Sequence, residues 1–148
     1  MIEGAITYQD VPCEEIMTSI SKVTFMLTME TILNSKTLKN IKDNGYSRIP
    51  ICENGNQNLI IGFLLAKSLV GLDTTSEKSV QQLYRAGAIQ VKIPHYIHRE
   101  ASLGKLVKAF QAGNSHMAVV MHTPGAAQEL RDHADEYHKS ILQLRASK

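Results

Sequence analysis

Few residues in this chain fall at spacings that could do chemistry, and histidine supplies most of them. His95 and His98 lie three apart in a stretch that reads as extended, so their side chains point to opposite faces and cannot ligate one ion without a bend. The run Asp132-His133-Ala134-Asp135-Glu136-Tyr137-His138 places Asp135 and His138 on one face of a helix. Two ligands are too few for a structural zinc, and Cys13 and Cys52 are far away in sequence. A solvated helix face is the expectation there, and an ordinary satisfied hydrogen bond is expected for His116 at a strand start. Ser47, Ser68 and Ser115 lack a paired His–Asp pattern, which leaves nucleophilic catalysis unsupported. The chain is not expected to be an enzyme in its own right.

The elements that would position a binding site come in two similar sets. Gly45-Tyr46-Ser47-Arg48-Ile49-Pro50-Ile51-Cys52 and Gly113-Asn114-Ser115-His116-Met117-Ala118-Val119-Val120 each follow an amphipathic helix pattern, stop it with glycine and open a short β run. They lie 68 positions apart, from 45 to 113, which is repeat-sized spacing. Two such halves face one another across a cleft, and a cleft binds ligands without any catalytic residue.

In the first half Val23–Leu27 is β-prone, and Ser35–Asn44 carries Leu38 and Ile41 one helical turn apart. Gly45 sits where a helix ends in the left-handed conformation. Arg48–Glu53 predicts a strand, Glu53-Asn54-Gly55-Asn56 a hairpin turn, Leu59–Leu65 a buried strand and Ala66–Leu72 a short helix. Asp73–Lys78 is a polar link. Ser79 then caps a helix carrying Val80, Leu83 and Tyr84, and Ala88–Ile93 alternates like a strand edge. Ser102 is an N-cap for Leu103, Leu106, Val107 and Phe110, and His116–His122 is the matching strand.

The second half then departs from the first. Where a hairpin strand is due, Leu130, Ala134, Tyr137, Ile141 and Leu144 follow at spacings of 4, 3, 4 and 3, with Thr123 as N-cap and Pro124 at the first helical position. Two heptads are too short for a stable free coiled coil. This stripe is expected to pack against the domain or a second copy. Because the repeat plan gives it no partner within the chain, a homodimer is expected.

Composition bounds the rest. The 148 residues are 43% apolar and 5% aromatic with no Trp, which implies one domain with an aliphatic core. A net charge of +2 with scattered Lys and Arg gives no reason to expect nucleic acid. Two cysteines without a secretory leader predict free thiols. The longest apolar run, Leu59–Ala66, is far short of the roughly eighteen residues of a membrane span, so the chain as given is expected to be soluble.

The order strand, helix, strand, hairpin strand, helix, repeated once, resembles a pair of CBS motifs, a Bateman module. The segments Glu14-Glu15-Ile16-Met17-Thr18, Val23–Leu27, Gly45–Pro50, Gly62-Phe63-Leu64-Leu65-Ala66-Lys67-Ser68-Leu69 and Phe110–Val120 are similar to the cyclin M (CNNM) and bacterial CorC type. Ile2-Glu3-Gly4-Ala5 is similar to the helix that enters the module from that family's membrane part. The resemblance covers about residues 2 to 122.

It implies an α+β fold of tandem β-α-β-β-α repeats with pseudo-twofold symmetry, the second repeat atypical and ending in a C-terminal helix. The implied divisions are 1–10, the end of an upstream connecting helix; 11–73, the first motif; 74–122, an incomplete second motif; and 123–148, a divergent C-terminal helix. The implied role is a regulatory module at the cytosolic face of a membrane, joined to the transport domain of a magnesium or divalent-cation transporter, dimerising and binding ATP with Mg²⁺ between the repeats. The alternative is an interaction scaffold with a vestigial cleft. A regulatory module of a nucleotide-metabolism enzyme is a third reading, less favoured because of the Ile2–Ala5 lead-in.

By the same resemblance Thr18 matches a threonine lining the cleft, and Tyr46, Ser47, Arg48, Ile49 and Pro50 match the segment that brackets the base. Arg48 would be the nearest phosphate-compatible charge, with a salt bridge as its other reading. Ser68 and Leu65 replace the aspartate and threonine usual in the first half. The second-half Gly-Ile-Val-Thr-Leu-Glu-Asp-like segment, which supplies a ribose carboxylate and a phosphate hydroxyl, is missing. The family's longer members also bind phosphatases of regenerating liver through a second-half hairpin loop, which would start here near Thr123.

Overall fold

In the computed structural model the described residues are 10–23, 25–53, 55–113, 116–123 and 125–146, the last three by backbone alone. The Ile2–Ala5 lead-in, Asn114, Ser115, Pro124 and the Leu144 side chain lie outside them. In chain order the elements are β1 (Leu27–Thr28), α1 (Ser35–Asn44), β2 (Arg48–Glu53), β3 (Asn56–Leu65), α2 (Val80–Ala86), β4 (Val91–Lys92), β5 (His95–His98), α3 (Leu103–Ala112), β6 (Ala118–Met121) and α4 (Ala126–Ala146). Short 3-10 turns form at Cys13–Glu15, Ile20–Lys22 and Ala66–Leu69.

The internal repeat is realised in one strand-helix-strand unit of each half. Helices α1 and α3 start and stop 68 positions apart, at 35 and 103 and at 44 and 112. Each is opened by a short polar side chain that accepts from the backbone N–H three residues on: Asn34 Oδ1 from Thr37 at 3.0 Å, and Ser102 Oγ from Lys105 at 3.2 Å. Each joins two parallel strands, β1 to β2 and β5 to β6, as a helical crossover must. A backbone contact recurs as well. Residues at the entry to α3 pair with the N-terminal segment, Leu103 N donating to Val11 O and Cys13 N to Ala101 O. Residues ahead of α1 pair with the start of α2, Leu33 N donating to Lys78 O and Val80 N to Thr31 O. The glycines that end the helices differ. Gly45 is left-handed at φ 71°, whereas Gly113 is extended at φ −110°.

The sheets are unequal. Strands β1-β2-β3-β4 form one sheet, and β5-β6 form a second. The larger sheet centres the core, with Leu27, Ile49, Ile51, Ile61 and Leu64 all at most 3% exposed, and second-half residues such as Val80, Tyr96 and Ala134 join the same cluster. β6 is only half-buried along its length. Between Ile51↔Gly62 and Cys52↔Ile60 one residue of β3, Ile61, has no partner in β2, which is a β-bulge.

α4 fills the place of the absent strand. Leu130, Ala134 and Ile141 are 6%, 0% and 3% exposed within their own chain, and Tyr137 packs half-buried against the same core. The helix lies against β3, β5, β6 and α2. This corrects the reason for expecting a homodimer: the described part of the stripe is already covered, so it offers a second copy no bare apolar face. It also removes the hairpin loop expected near Thr123, because β6 passes into α4 within four residues. Among the described residues, no arm of the kind expected to bind a phosphatase of regenerating liver follows β6.

Candidate functional site

A cavity of about 620 Å³ lies where the halves meet, within the range usual for small-molecule sites. Four parts of the chain wall it. The N-terminal segment contributes Cys13 and residues 16–20, and β6 with its flanks contributes residues 117–122. α3 gives Leu106 and Phe110, and the first sheet gives Pro50, Asn58 and Ile60. The i, i+4 spacing of Leu106 and Phe110 puts both on one face of α3, and the parallel pairing with β5 fixes the strand they face.

The wall is mostly apolar and unusually rich in sulfur, with Cys13, Met17, Met117 and Met121 alongside Phe110. Thioethers and a phenyl ring make favourable contacts with flat aromatic ligands. Polar groups on the wall are few: Thr18, Ser19, Asn58 and His122. Among the described residues no Lys, Arg, Asp or Glu lines the cavity.

The structure brings together two of the residues anticipated from sequence. Thr18, exposed, and Pro50, buried, both line the cavity. Ile49, on β2, is 0% exposed in the core. Tyr46 packs edge-on against Phe25 at 6.3 Å between centroids, and Ser47 and Arg48 are exposed. Tyr46, Ser47, Arg48 and Ile49 are not on the cavity wall. Residues of α3 and β6 that do line it went unassigned, although the repeat itself points to them as the counterparts of α1 and β2.

Two buried side chains from the second half hold the walls in place. The bulge turns β3 carbonyls toward the second half. Tyr96, 1% exposed on β5, donates its hydroxyl to Ile60 O at 2.7 Å. His138, 4% exposed on α4, bonds Ile61 O through Nε2 at 2.8 Å and Tyr84 through Nδ1 at 2.8 Å. A carbonyl only accepts, so Nε2 carries the proton and Nδ1 accepts from the Tyr84 hydroxyl. Burial holds the His138 pKa below its ordinary value, against the opposing effects of the Ile61 carbonyl and the Asp135 charge. The expectation of a solvated face for His138 is therefore wrong. Gly62 makes room for the ring, since a Cβ there would lie 3.2 Å from Nε2. Exposed His133 adds a contact to the Glu53 carboxylate.

His95 and His98 do not converge on an ion. The His95 ring packs tilted against Phe110 with centroids 5.5 Å apart, and His98 Nε2 lies 3.2 Å from His122 O. His116, outside β6 and exposed, meets Phe110 edge-on. No group of three or more His, Cys, Asp or Glu suited to a metal occurs among the described residues. Both cysteines are free and buried, and burial raises both thiol pKa values. No described helix is long and apolar enough to cross a membrane.

No known family's sequence profile matches the chain. Curated relatives do. Metal transporter cnnm-1 of Caenorhabditis elegans is 33% identical over 117 residues, 79% of this chain and 14% of that protein. A DUF21 domain-containing protein of Arabidopsis thaliana is 32% identical over 147 residues, 96% of this chain and 28% of that one. Protein MAM3 of Saccharomyces cerevisiae is 34% identical over 114 residues, 77% and 15%. The chain thus spans less than a third of the length of each of these relatives. Among solved structures, the CBS domain of the bacterial CNNM/CorC family Mg²⁺ transporter in complex with ATP superposes with a TM-score of 0.61 at 21% identity, covering 80% of this chain and 78% of that one. The CBS domain of a putative transporter from Clostridium difficile gives 0.60 at 18%, covering 88% and 98%. These likenesses establish the fold.

Proposed function

We propose, on the premise that this chain is a CBS pair of the CNNM/CorC kind, that it is the regulatory segment of a larger divalent-cation transporter and seats an adenine nucleotide in its inter-repeat cavity. The observation that carries the reading is the cavity itself. It is large enough for a nucleoside, lies between the two repeats, and has Thr18 and Pro50 on its wall. Its position matters more than its size. A ligand touching the N-terminal segment, the first sheet, α3 and β6 at once binds best in one arrangement of the halves. It can then bias the transporter by its difference in affinity between arrangements, and by no more. In this reading the module works at the cytosolic face of the membrane, attached to the transport domain, and does no chemistry.

The residues present fit one end of Mg·ATP and not the other. Phe110, the methionines and the aliphatic wall suit a purine, and Thr18, Ser19 and Asn58 can bond its edge or the ribose. No described wall residue offers a cation for the phosphates or a carboxylate for the metal, and Mg²⁺ ordinarily rides on phosphate oxygens with its waters.

Thermal unfolding with and without adenine nucleotide tests the reading. A ligand at a hundred times its Kd adds about 2.7 kcal/mol, which for a domain of this size raises Tm by about 8 °C. No rise and no heat of binding at millimolar nucleotide would overturn it.

A further inference from the structure

We propose that the cavity recognises the base of its ligand and is indifferent to the phosphates, so that it responds to the adenine moiety whatever its phosphorylation and does so without Mg²⁺. This rests on the adenine reading of the same cavity and adds which part of the ligand is read. The cavity is walled on several sides by groups that reward a flat, uncharged heteroaromatic ring: Phe110 from α3, Met17, Met117 and Met121, with Pro50 and Ile60. Its polar groups are amide, hydroxyl and imidazole side chains, the kind that bond a purine edge.

Phosphate recognition uses different parts. It relies on guanidinium or ammonium groups giving charge-assisted bonds, or on a metal held by carboxylates. Among the described residues none of these reaches the wall. Arg48, the cation that the family resemblance put nearest a phosphate, lies exposed at the start of β2 and is not on the wall. Arg131 is engaged elsewhere, donating to Tyr96 O at 2.9 Å. Arg99 lies 4.0 Å from the Glu14 carboxylate. A bound phosphate chain would therefore extend toward water, gaining little from the protein and losing little hydration.

Calorimetric titration of the whole chain with adenosine, AMP and ATP, each with and without Mg²⁺, at 50 and 500 mM NaCl, tests this. The expected result is dissociation constants within about threefold of one another throughout, because screened charge contacts are absent. Phe110→Ala should weaken all three ligands by a common factor of tenfold or more. Arg48→Ala should leave the ratio of ATP to adenosine affinity unchanged, and it keeps the test informative if the Phe110 variant does not fold. ATP tighter than adenosine by tenfold or more, a loss of ATP binding without Mg²⁺, or selective weakening of ATP by Arg48→Ala would overturn the proposal while leaving the adenine reading intact. Silence from all three ligands on folded protein would overturn both.

Discussion

Replacing His138 by Phe removes the two side-chain bonds that join α4 to the bulge of β3 and to α2, while keeping a ring of similar outline above Gly62. The Ile61 carbonyl then loses its side-chain donor, at about 2 kcal/mol, and the half-buried Tyr84 hydroxyl loses a partner at about 1 kcal/mol. A loss of about 3 kcal/mol is a large share of the stability of an ordinary domain and lowers Tm by about 10 °C. Tyr84→Phe alone should cost about 1 kcal/mol, and almost nothing in the His138→Phe background, because the bond it removes is already gone.

The pH dependence carries a second signature. Burial keeps folded His138 neutral, with its pKa below the ordinary 6.5. The unfolded chain therefore binds a proton there first as pH falls. The stability that His138 supplies is complete above pH 6.5. It drains away below that at up to about 1.4 kcal/mol per pH unit, until the folded-state pKa is reached. Denaturant melts at pH 7.5, 6.0 and 5.0 should show the gap between wild type and His138→Phe narrowing toward acid. A Tm within 2 °C of wild type at pH 7.5, or a gap constant across that range, would refute the reasoning.

Two further outcomes follow from the same packing. Gly62→Ala puts a Cβ 3.1 Å from Lys92 O and against the His138 ring, so chemical denaturation should show a loss of about 1–3 kcal/mol. Cys13 and Cys52 are buried with raised pKa values. Iodoacetamide at neutral pH should therefore label the folded chain at least tenfold more slowly than the unfolded one, and saturating adenosine should protect Cys13 on the cavity wall but not Cys52, as read by peptide mass.

Much of the fold was legible because its signals are local. A helix face shows in the spacing of Leu103, Leu106, Val107 and Phe110, a cap in Ser79 or Ser102, and a left-handed stop in Gly45. The structure repeats the helix and its cap at the same offset of 68, from Asn34 and α1 to Ser102 and α3, while the left-handed stop of Gly45 is not repeated at Gly113. The strands were less well bounded. Among the described residues, Val23–Leu27 yields pairing only from Leu27, and Ala88–Ile93 only at Val91–Lys92, since pairing depends on what lies alongside.

The long-range parts were not legible at all. His138 reads as one polar residue in the charged run Asp132–His138, and nothing nearby announces Tyr84, 54 positions away, or Ile61, 77 away. The stripe on α4 was visible, but its partner was not. A bulge in β3 and a missing strand in the second repeat create the surface it covers. The same holds for the cavity. Thr18 and Pro50 were found by likeness to a family, while the α3 and β6 walls become evident only once β5 and β6 pair.

Methyl NMR titration of the chain with adenosine puts the central claim to its most direct test. If the cavity between the repeats is the ligand site, saturable shifts should concentrate on the methyls of Thr18, Leu106, Met117, Val119 and Val120, and leave untouched Val70, which is exposed and not on the cavity wall. Shifts scattered over the surface, or confined to Ser35–Arg48 around α1, would contradict it.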